Sequence, residues 1–90
     1  MPTRGRRIPI RVPEVGLEPE CPLQVSMWFA TPGELVLEGD RLVELLADDV
    51  TFDITAPTTG RLLVVERDIE EPVQPGETIG WLEEEPDQSW

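Results

Sequence analysis

The sequence predicts an all-β fold, a flattened β-barrel or sandwich built from two similar halves. Ten prolines and seven glycines are spaced among short runs of valine, leucine and isoleucine, a composition that favours short strands joined by turns over long helices. In several of these runs apolar residues alternate with polar ones, as in strands with one buried face. The motif VLEGDRL of residues 36–42 recurs 37 positions later as VQPGETI at residues 73–79. Two such halves, each too small to bury its own apolar face, are expected to close on one another.

The N-terminal third is predicted to hold a loose arm and two strands. Residues 1–7 are read as a flexible basic N-terminus, and residues 8–12 as an edge strand because they contain Pro9. Residues 13–22 carry three prolines and a glycine, which predicts a long loop. Residues 23–31 show the period of two that is typical of a half-buried strand. Its inward face is predicted to hold Leu23, Val25, Met27 and Phe29, with Trp28 on the other face.

The clearest local prediction is a hairpin over residues 42–54. If Asp48 and Asp49 form a two-residue loop, six apolar residues gather on one face. The expected pairs are Ala47 with Val50, Leu45 with Phe52, and Val43 with Ile54. A slip of one residue would turn Glu44 or Asp53 towards the core, so this register is favoured. Aspartate tolerates the left-handed conformation that a type I′ turn requires.

The C-terminal half is predicted to repeat the pattern of the first half. A turn over residues 57–60 leads into a strand at residues 61–66, and the second copy of the repeat then supplies another turn and a returning strand. The domain is expected to span residues 8–84, and residues 85–90 are read as an acidic tail.

Several chemistries are excluded by residues that the sequence lacks. All seven basic residues are arginines, so the chain has no lysine, and it has no histidine. A lone cysteine, Cys21, cannot form an intramolecular disulfide, and without histidine the usual zinc sites and Ser-His or Cys-His nucleophiles are ruled out. No catalytic residue is therefore predicted, and no metal site. Acidic neighbours are expected to raise the pKa of the Cys21 thiol and lower its reactivity.

The charge is strongly negative and unevenly distributed. The formal net charge is −12, but residues 12–90 hold only three arginines against all nineteen acidic residues, a net charge of −16 for that part. Such a body repels phosphate backbones and anionic lipids, so neither nucleic acid nor membrane is an expected partner. A protein with a basic surface is the natural complement. The sequence has no apolar run of the roughly 20 residues that a membrane span needs and no leader pattern, which predicts a cytoplasmic location.

The order of turns and apolar positions resembles a known family. The motif reads Trp28-x4-Gly33-Glu34-x-Val36-x2-Gly39-Asp40-x-Leu42-x-Glu44-Leu45-x2-Asp48-Asp49-Val50-x2-Asp53-Ile54-x2-Pro57-x2-Gly60-Arg61-Leu62, preceded by VPEVG at residues 12–16. It resembles the lipoyl domains of 2-oxo acid dehydrogenase acyltransferases and, more distantly, biotinyl carrier domains. The resemblance covers about residues 8–84. It implies two four-stranded antiparallel sheets related by pseudo-twofold symmetry.

The resemblance also locates a departure from the family. In lipoyl domains the hairpin tip reads Asp-Lys, and the lysine amine is joined to lipoate through an amide bond. Here Asp48 matches the aspartate and Asp49 takes the position of the lysine. A carboxylate cannot form that amide, so no cofactor is expected. A second departure is Glu70-Glu71, where the family usually has Gly-Asp, and this loop is expected to differ locally.

The predicted function is that of a non-acylated lipoyl-like domain. It would serve as a protein-interaction or structural module associated with a 2-oxo acid dehydrogenase-type complex, without catalytic activity of its own. The hypothetical partner-binding residues form an acidic strip: Glu44, Asp48, Asp49 and Asp53. Glu44 and Asp53 would face each other across the hairpin, a like-charge pair that a basic partner could offset. Two alternatives stay open: a scaffolding fragment of a larger enzyme or transporter, and an acidic cation-binding module.

Overall fold

Seven strands and no helix make up the described part of a computed structural model, which covers residues 5–16 and 21–85. The strands are β1 (Arg7–Arg11), β2 (Gln24–Trp28), β3 (Leu35–Val36), β4 (Arg41–Ala47), β5 (Val50–Thr55), β6 (Gly60–Val65) and β7 (Thr78–Glu84). They form one sheet of four strands in the order β1-β7-β6-β3 and one of three in the order β2-β4-β5. All neighbouring strands are antiparallel. Within the described ranges there is no helix of the length and apolarity that crossing a membrane demands.

The two sheets pack face to face as a flattened sandwich, which confirms the predicted all-β class. Sixteen apolar residues are buried between the sheets and form one cluster. Its fully enclosed members include Leu42 and Leu45 from one sheet and Leu62, Ile79 and Leu82 from the other. Every buried side chain in the described ranges is apolar. The core therefore derives from the alternating apolar positions of both halves of the sequence.

The second sheet has three strands where the resemblance implies four. The missing position is marked by a single bridge between Gln24 and Pro72, and by a hydrogen bond of 2.8 Å from the Val73 amide to the Leu23 carbonyl. On the other side of Pro72 the Val25 amide donates to the Glu71 carbonyl at 3.1 Å, so Gln24 and Pro72 form a non-hydrogen-bonded pair, and the Pro72 nitrogen, which has no hydrogen, faces the outer edge. The pseudo-twofold arrangement is kept, since this bridge occupies the place that β3 occupies in the other sheet.

The internal repeat is confirmed in the hydrogen bonds of its two turns. The Leu37 amide donates to Asp40 Oδ2 at 2.9 Å, and the equivalent Gln74 amide donates to Glu77 Oε1 at 3.1 Å. The glycine of each turn has a left-handed backbone, with φ of 91° at Gly39 and 87° at its equivalent Gly76. Only glycine adopts this conformation without steric cost, which explains the Gly-acid pair in both copies.

A second pair of equivalent turns corrects the prediction for Glu70-Glu71. The Thr31 amide donates to Glu34 Oε1 at 3.1 Å, and the Asp68 amide donates to Glu71 Oε1 at 2.6 Å. Gly33 in the first turn has a φ of 94°, and Glu70 in the second has a φ of 72°. The loop therefore keeps the geometry of its counterpart, and Glu70 takes on the left-handed conformation that a glycine holds in the first half.

We expect the substitution Glu70→Gly to stabilise the domain by about 1 kcal/mol, because it relieves a left-handed conformation that costs a residue with a Cβ atom about 1–2 kcal/mol. Urea unfolding followed by tryptophan fluorescence measures this change. Glu70→Gln is the matched control, since it removes the same charge but keeps the Cβ atom. If Glu70→Gln stabilised the domain as much as Glu70→Gly, charge rather than backbone strain would be the cause.

The predicted register of the β4–β5 hairpin is confirmed. The predicted inward face of β2 is wrong in part. Ala47 pairs with Val50, Leu45 with Phe52, and Val43 with Ile54. In β2 the register shifts between Val25 and Met27, so that Val25 is buried and Met27 is 48% exposed. A bulge adds one residue to a strand and reverses the faces beyond it. The period of two therefore fails beyond Val25: Met27 and Phe29, which were predicted to point inwards, lie outside the core cluster, and Trp28, which was predicted on the other face, packs against it.

The first and last strands, β1 and β7, lie side by side in the four-stranded sheet. β1 lies at the edge of its sheet, as Pro9 predicts, and it begins at Arg7. The Glu84 amide donates to the Arg6 carbonyl at 2.8 Å, which joins the two ends of the described chain. Most of the predicted N-terminal arm, residues 1–4, and most of the predicted acidic tail, residues 86–90, lie outside the described residues, as do residues 17–20 of the first loop.

Candidate functional site

The β4–β5 hairpin carries the predicted acidic residues at its tip and along its outer face. Asp48 and Asp49 form the two-residue loop between Ala47 and Val50, and both side chains are exposed. Asp48 has a φ of 53°, whereas Asp49 keeps a negative φ. A type I′ turn needs positive φ at both central residues, so that expectation is met only at Asp48. The tip presents two carboxylates to solvent from a short, hydrogen-bonded hairpin.

Glu44 and Asp53 face each other across the hairpin, as predicted, but each has a partner within the chain. Ser26 Oγ donates to Glu44 Oε2 at 3.0 Å, and Arg41 Nη1 lies 3.4 Å from Asp53 Oδ2. The Arg41 guanidinium also lies 4.4 Å above the centre of the Phe29 ring. These contacts offset the repulsion of the like-charged pair without an external cation.

The four acidic residues are not one cluster. Asp48 directly follows the end of β4 and is four residues from Glu44, a separation of about 13 Å at the usual strand rise of 3.3 Å per residue. In residues 5–16 and 21–85 no group of three or more acidic or cysteine side chains converges as metal ligands would. The carboxylates therefore line the hairpin at intervals, an arrangement that fits an extended partner better than a single ion.

Cys21 is an unforeseen neighbour of the tip. Its Sγ lies 3.7 Å from Asp48 Oδ2, although the two residues are 27 positions apart in the sequence. Packing of the thiol against the protein, together with the charge of Asp48 and the hydrogen bond to it, raises the pKa of Cys21. The direction matches the sequence prediction, and the acid beside the thiol is Asp48 of the hairpin.

Alkylation of Cys21 by iodoacetamide is expected to speed up in the Asp48→Asn variant. Removing the carboxylate takes away two causes of the raised pKa, so more thiolate is present at any pH below that pKa. The rate measured between pH 7 and pH 10 should rise with pH, and the Asp48→Asn curve should be displaced to lower pH. Asp49→Asn is the control, and equal rates for the two variants would contradict the assigned contact.

The sequence reasoning missed Ser26 and Arg41, which partner the hairpin acids, as well as Cys21. Ser26 reaches Glu44 because β2 pairs with β4, and a pairing between separate strands is not encoded in the local pattern of either strand. The signal that could have found Arg41 is its place in β4 opposite Thr55, two residues beyond Asp53. Diagonal neighbours at that distance lie within reach of an arginine side chain.

A groove of about 620 Å³ runs from Cys21 past Arg67 to Glu77. Arg67 Nε lies 2.7 Å from Glu77 Oε2, so the arginine that lines this groove is already paired. Glu71, another acid of the lining, accepts a hydrogen bond from the Asp68 amide through Oε1. The hairpin remains the better candidate for a functional site.

Trp28 and Trp81 occupy different environments. Trp28 packs against the core, and its Nε1 donates to the Arg67 carbonyl at 2.8 Å. Trp81 is half-buried on the outer face of the four-stranded sheet, where its Nε1 donates to Glu66 Oε1 at 3.2 Å. Trp28 thus belongs to the packing around the core, whereas Trp81 covers a sheet surface outside the core cluster.

Two known proteins with sequences similar to this chain are components of 2-oxoglutarate dehydrogenase complexes. The chain is 37% identical over 75 residues to the dihydrolipoyllysine-residue succinyltransferase component of the 2-oxoglutarate dehydrogenase complex of Bacillus subtilis strain 168, which covers 83% of this chain and 18% of the relative. It is 39% identical over 56 residues to the protein of the same name from Bartonella vinsonii subsp. berkhoffii, with 62% of this chain and 13% of the relative covered. The chain thus spans less than a fifth of the length of these relatives.

The fold comparison and the family comparison agree. The solution structure of the lipoyl domain of the 2-oxoglutarate dehydrogenase complex from Azotobacter vinelandii superposes with a TM-score of 0.66 at 25% identity, covering 83% of this chain and 96% of that domain. The family model for the biotin/lipoyl domain, Biotin-requiring enzyme, matches residues 8–82. The chain therefore belongs to the Biotin-requiring enzyme (biotin/lipoyl) domain family.

Proposed function

We propose that this chain is a non-acylated lipoyl-type domain that acts as a protein-interaction or structural module in association with a 2-oxo acid dehydrogenase-type complex. The observation that carries the proposal is the combination of a preserved lipoyl-domain fold with a sequence that contains no lysine. Asp49, which the family resemblance aligns with the acceptor lysine, lies at the tip of an exposed two-residue loop. The domain keeps its shape and lacks the amine on which a swinging arm would be built.

Without the amine the domain cannot carry a lipoyl group, so we infer that it acts by binding a partner through its surface. The exposed hairpin acids and the net charge of −12 favour a partner with a basic surface. The similar proteins from Bacillus subtilis and Bartonella vinsonii are named as components of the 2-oxoglutarate dehydrogenase complex, which supports dehydrogenase components as the partners. We place this interaction in the cytoplasm and assign the domain no catalytic step of its own.

Capture from the native cell lysate tests the proposal, with the amounts of 2-oxo acid dehydrogenase components measured by mass spectrometry. Three immobilised forms are compared: the wild-type chain, a hairpin variant, and a control variant. The hairpin variant carries Glu44→Gln, Asp48→Asn, Asp49→Asn and Asp53→Asn. The control variant carries Glu14→Gln, Glu38→Gln, Glu70→Gln and Glu83→Gln, which removes the same charge away from the hairpin.

The wild type and the control variant are expected to retain the dehydrogenase components, and the hairpin variant to retain at least about fivefold less, since several rim charges contribute together. Equal retention by all three forms would place recognition on another surface and refute the role of the acidic strip. If the wild type retained none of these components, the association itself would be refuted.

A further inference from the structure

The sandwich has four sheet edges, and three of them are protected against pairing with another chain. β1 carries Pro9 and a register shift between Ile10 and Arg11. β3 is only two residues long. The edge beside β2 is reduced to the single bridge at Pro72. Prolines, bulges and very short strands are the usual means by which proteins prevent pairing at an edge.

The fourth edge, β5, has no proline and is not short, and the register shift in its pairing with β4 lies only at its C-terminal end, between Arg41 and Val43. β5 is six residues long, VTFDIT, without proline, and its pairing with β4 is regular from Ala47–Val50 to Val43–Ile54. No described strand lies on its other side. This edge therefore offers a regular row of backbone groups to an incoming strand.

The register identifies which backbone groups face outwards. Ala47 and Val50 close a two-residue loop and form a hydrogen-bonded pair, so the pairs alternate along the hairpin from there. Thr51 and Asp53 fall in non-hydrogen-bonded pairs, and their amide and carbonyl groups point away from β4. Outside the strand ladders, no backbone hydrogen bond in the described ranges involves Thr51 or Asp53.

The side chains along β5 define the chemistry of a fitting strand. Val50 is 49% exposed, and Phe52 is half-buried on the inward face, so both have apolar surface that a neighbouring strand would cover. On the outer face Asp53 is exposed, with Glu44 opposite it and Asp48 and Asp49 at the end of the strand. A strand of alternating apolar and basic residues matches both faces at once.

We propose that the outer edge of β5 is a strand-addition site for an extended segment of a partner protein in which basic and apolar residues alternate. The site rests on the proposed function, because it specifies how the acidic hairpin would meet a basic partner. A second copy of this chain is disfavoured as the occupant. Each copy carries a net charge of −12, and antiparallel pairing of two β5 strands would bring two exposed Asp53 side chains together.

The geometry predicts which amides of the incoming segment bond to β5. In an antiparallel pair, directly opposed residues share a face, so a basic residue lies opposite Asp53. Because the groups of Asp53 point outwards, that basic residue forms a hydrogen-bonded pair with it. The amides of the basic residues thus face β5, and the amides of the apolar residues face away.

The probe is a capped hexapeptide of alternating arginine and valine, compared with two N-methylated forms. Methylation of the three arginine nitrogens removes the donors that face β5, whereas methylation of the three valine nitrogens leaves them intact. Affinities for the full chain are measured by calorimetry. Exchange of the Thr51 and Asp53 amide hydrogens is followed by NMR in the same samples.

The unmodified and valine-methylated peptides are expected to bind, and the arginine-methylated peptide to bind at least about tenfold more weakly, since up to three hydrogen bonds are lost. Binding should slow the exchange of the Thr51 and Asp53 amides. If both methylated peptides bound equally well and the Thr51 and Asp53 amides exchanged no more slowly, strand addition would be overturned. The acidic strip of the proposed function would not be affected by this result. If none of the three peptides bound, strand addition would also be overturned. The same holds if the Thr51 and Asp53 amides of the free chain exchanged more slowly at higher protein concentration, because a second copy would then occupy the edge.

Discussion

Replacing Leu82 with alanine is expected to lower the free energy of unfolding by about 2–5 kcal/mol, since it removes a fully buried leucine and leaves a cavity. Leu45 holds the equivalent position in the other half of the repeat and is also fully buried. Leu45→Ala should therefore cost a similar amount. Either loss is a large share of the roughly 5–15 kcal/mol that stabilises a typical domain. Urea unfolding followed by tryptophan fluorescence measures both variants.

Leu37→Ala is the control for these core variants, because Leu37 is 56% exposed. Its expected cost is within about 0.5 kcal/mol, as for most surface substitutions. If Leu82→Ala lowered the free energy of unfolding no more than Leu37→Ala does, Leu82 would not be packed in the core. If Leu45 and Leu82 differed by several kcal/mol, the two halves would not contribute equally to the sandwich.

The parts of the fold that local sequence determines were predictable. The β4–β5 register follows from the two-residue loop at Asp48-Asp49 and from the alternation of apolar residues on either side of it, because a slip of one residue would turn a carboxylate towards the core. The repeat was predictable for a similar reason. Gly39 and Gly76 each stand before an acid that caps its own turn, and that chemistry lies within four residues.

The features that depend on distant contacts were not predictable from the pattern alone. The bulge that turns Met27 outwards is a property of how β2 pairs with β4. The single bridge at Pro72 reflects the position of this segment beside β2, which alternation within residues 72–73 does not encode. Glu70 keeps a glycine-like turn because the contacts around it fix the backbone, which overrides the preference of the residue.

The candidate site likewise has features that local sequence predicts and features that depend on distant contacts. The facing of Glu44 and Asp53 follows from the hairpin register and was predicted. The contacts that offset their charges, with Ser26 and Arg41, required the three-dimensional arrangement. The proximity of Cys21 to Asp48 required it too, since 27 positions separate the two residues in the sequence.

Replacing Asp49 with lysine is expected to convert a chain that a lipoate ligase leaves unmodified into one that it acylates. The wild type has no lysine side chain to react. In the variant the lysine Nζ would attack the carbonyl carbon of the activated lipoyl group, lose a proton and form the amide as the activating group leaves. Intact-mass spectrometry after incubation of the folded variant with a lipoate ligase, ATP and lipoate measures the change as a single added lipoyl group.

Asp48→Lys is the matched control, because it introduces the same amine one residue earlier, at the position with a φ of 53°. A lysine there leaves the loop in a different direction, so we expect little or no acylation. If only Asp48→Lys were acylated, the acceptor position would be residue 48 instead of residue 49. If neither folded variant were acylated, the tip would lack other features that the ligase recognises besides the amine. Acylation of Asp49→Lys alone would show that a single carboxylate separates this domain from a carrier, and that the surface around the tip still fits the enzyme that modifies one.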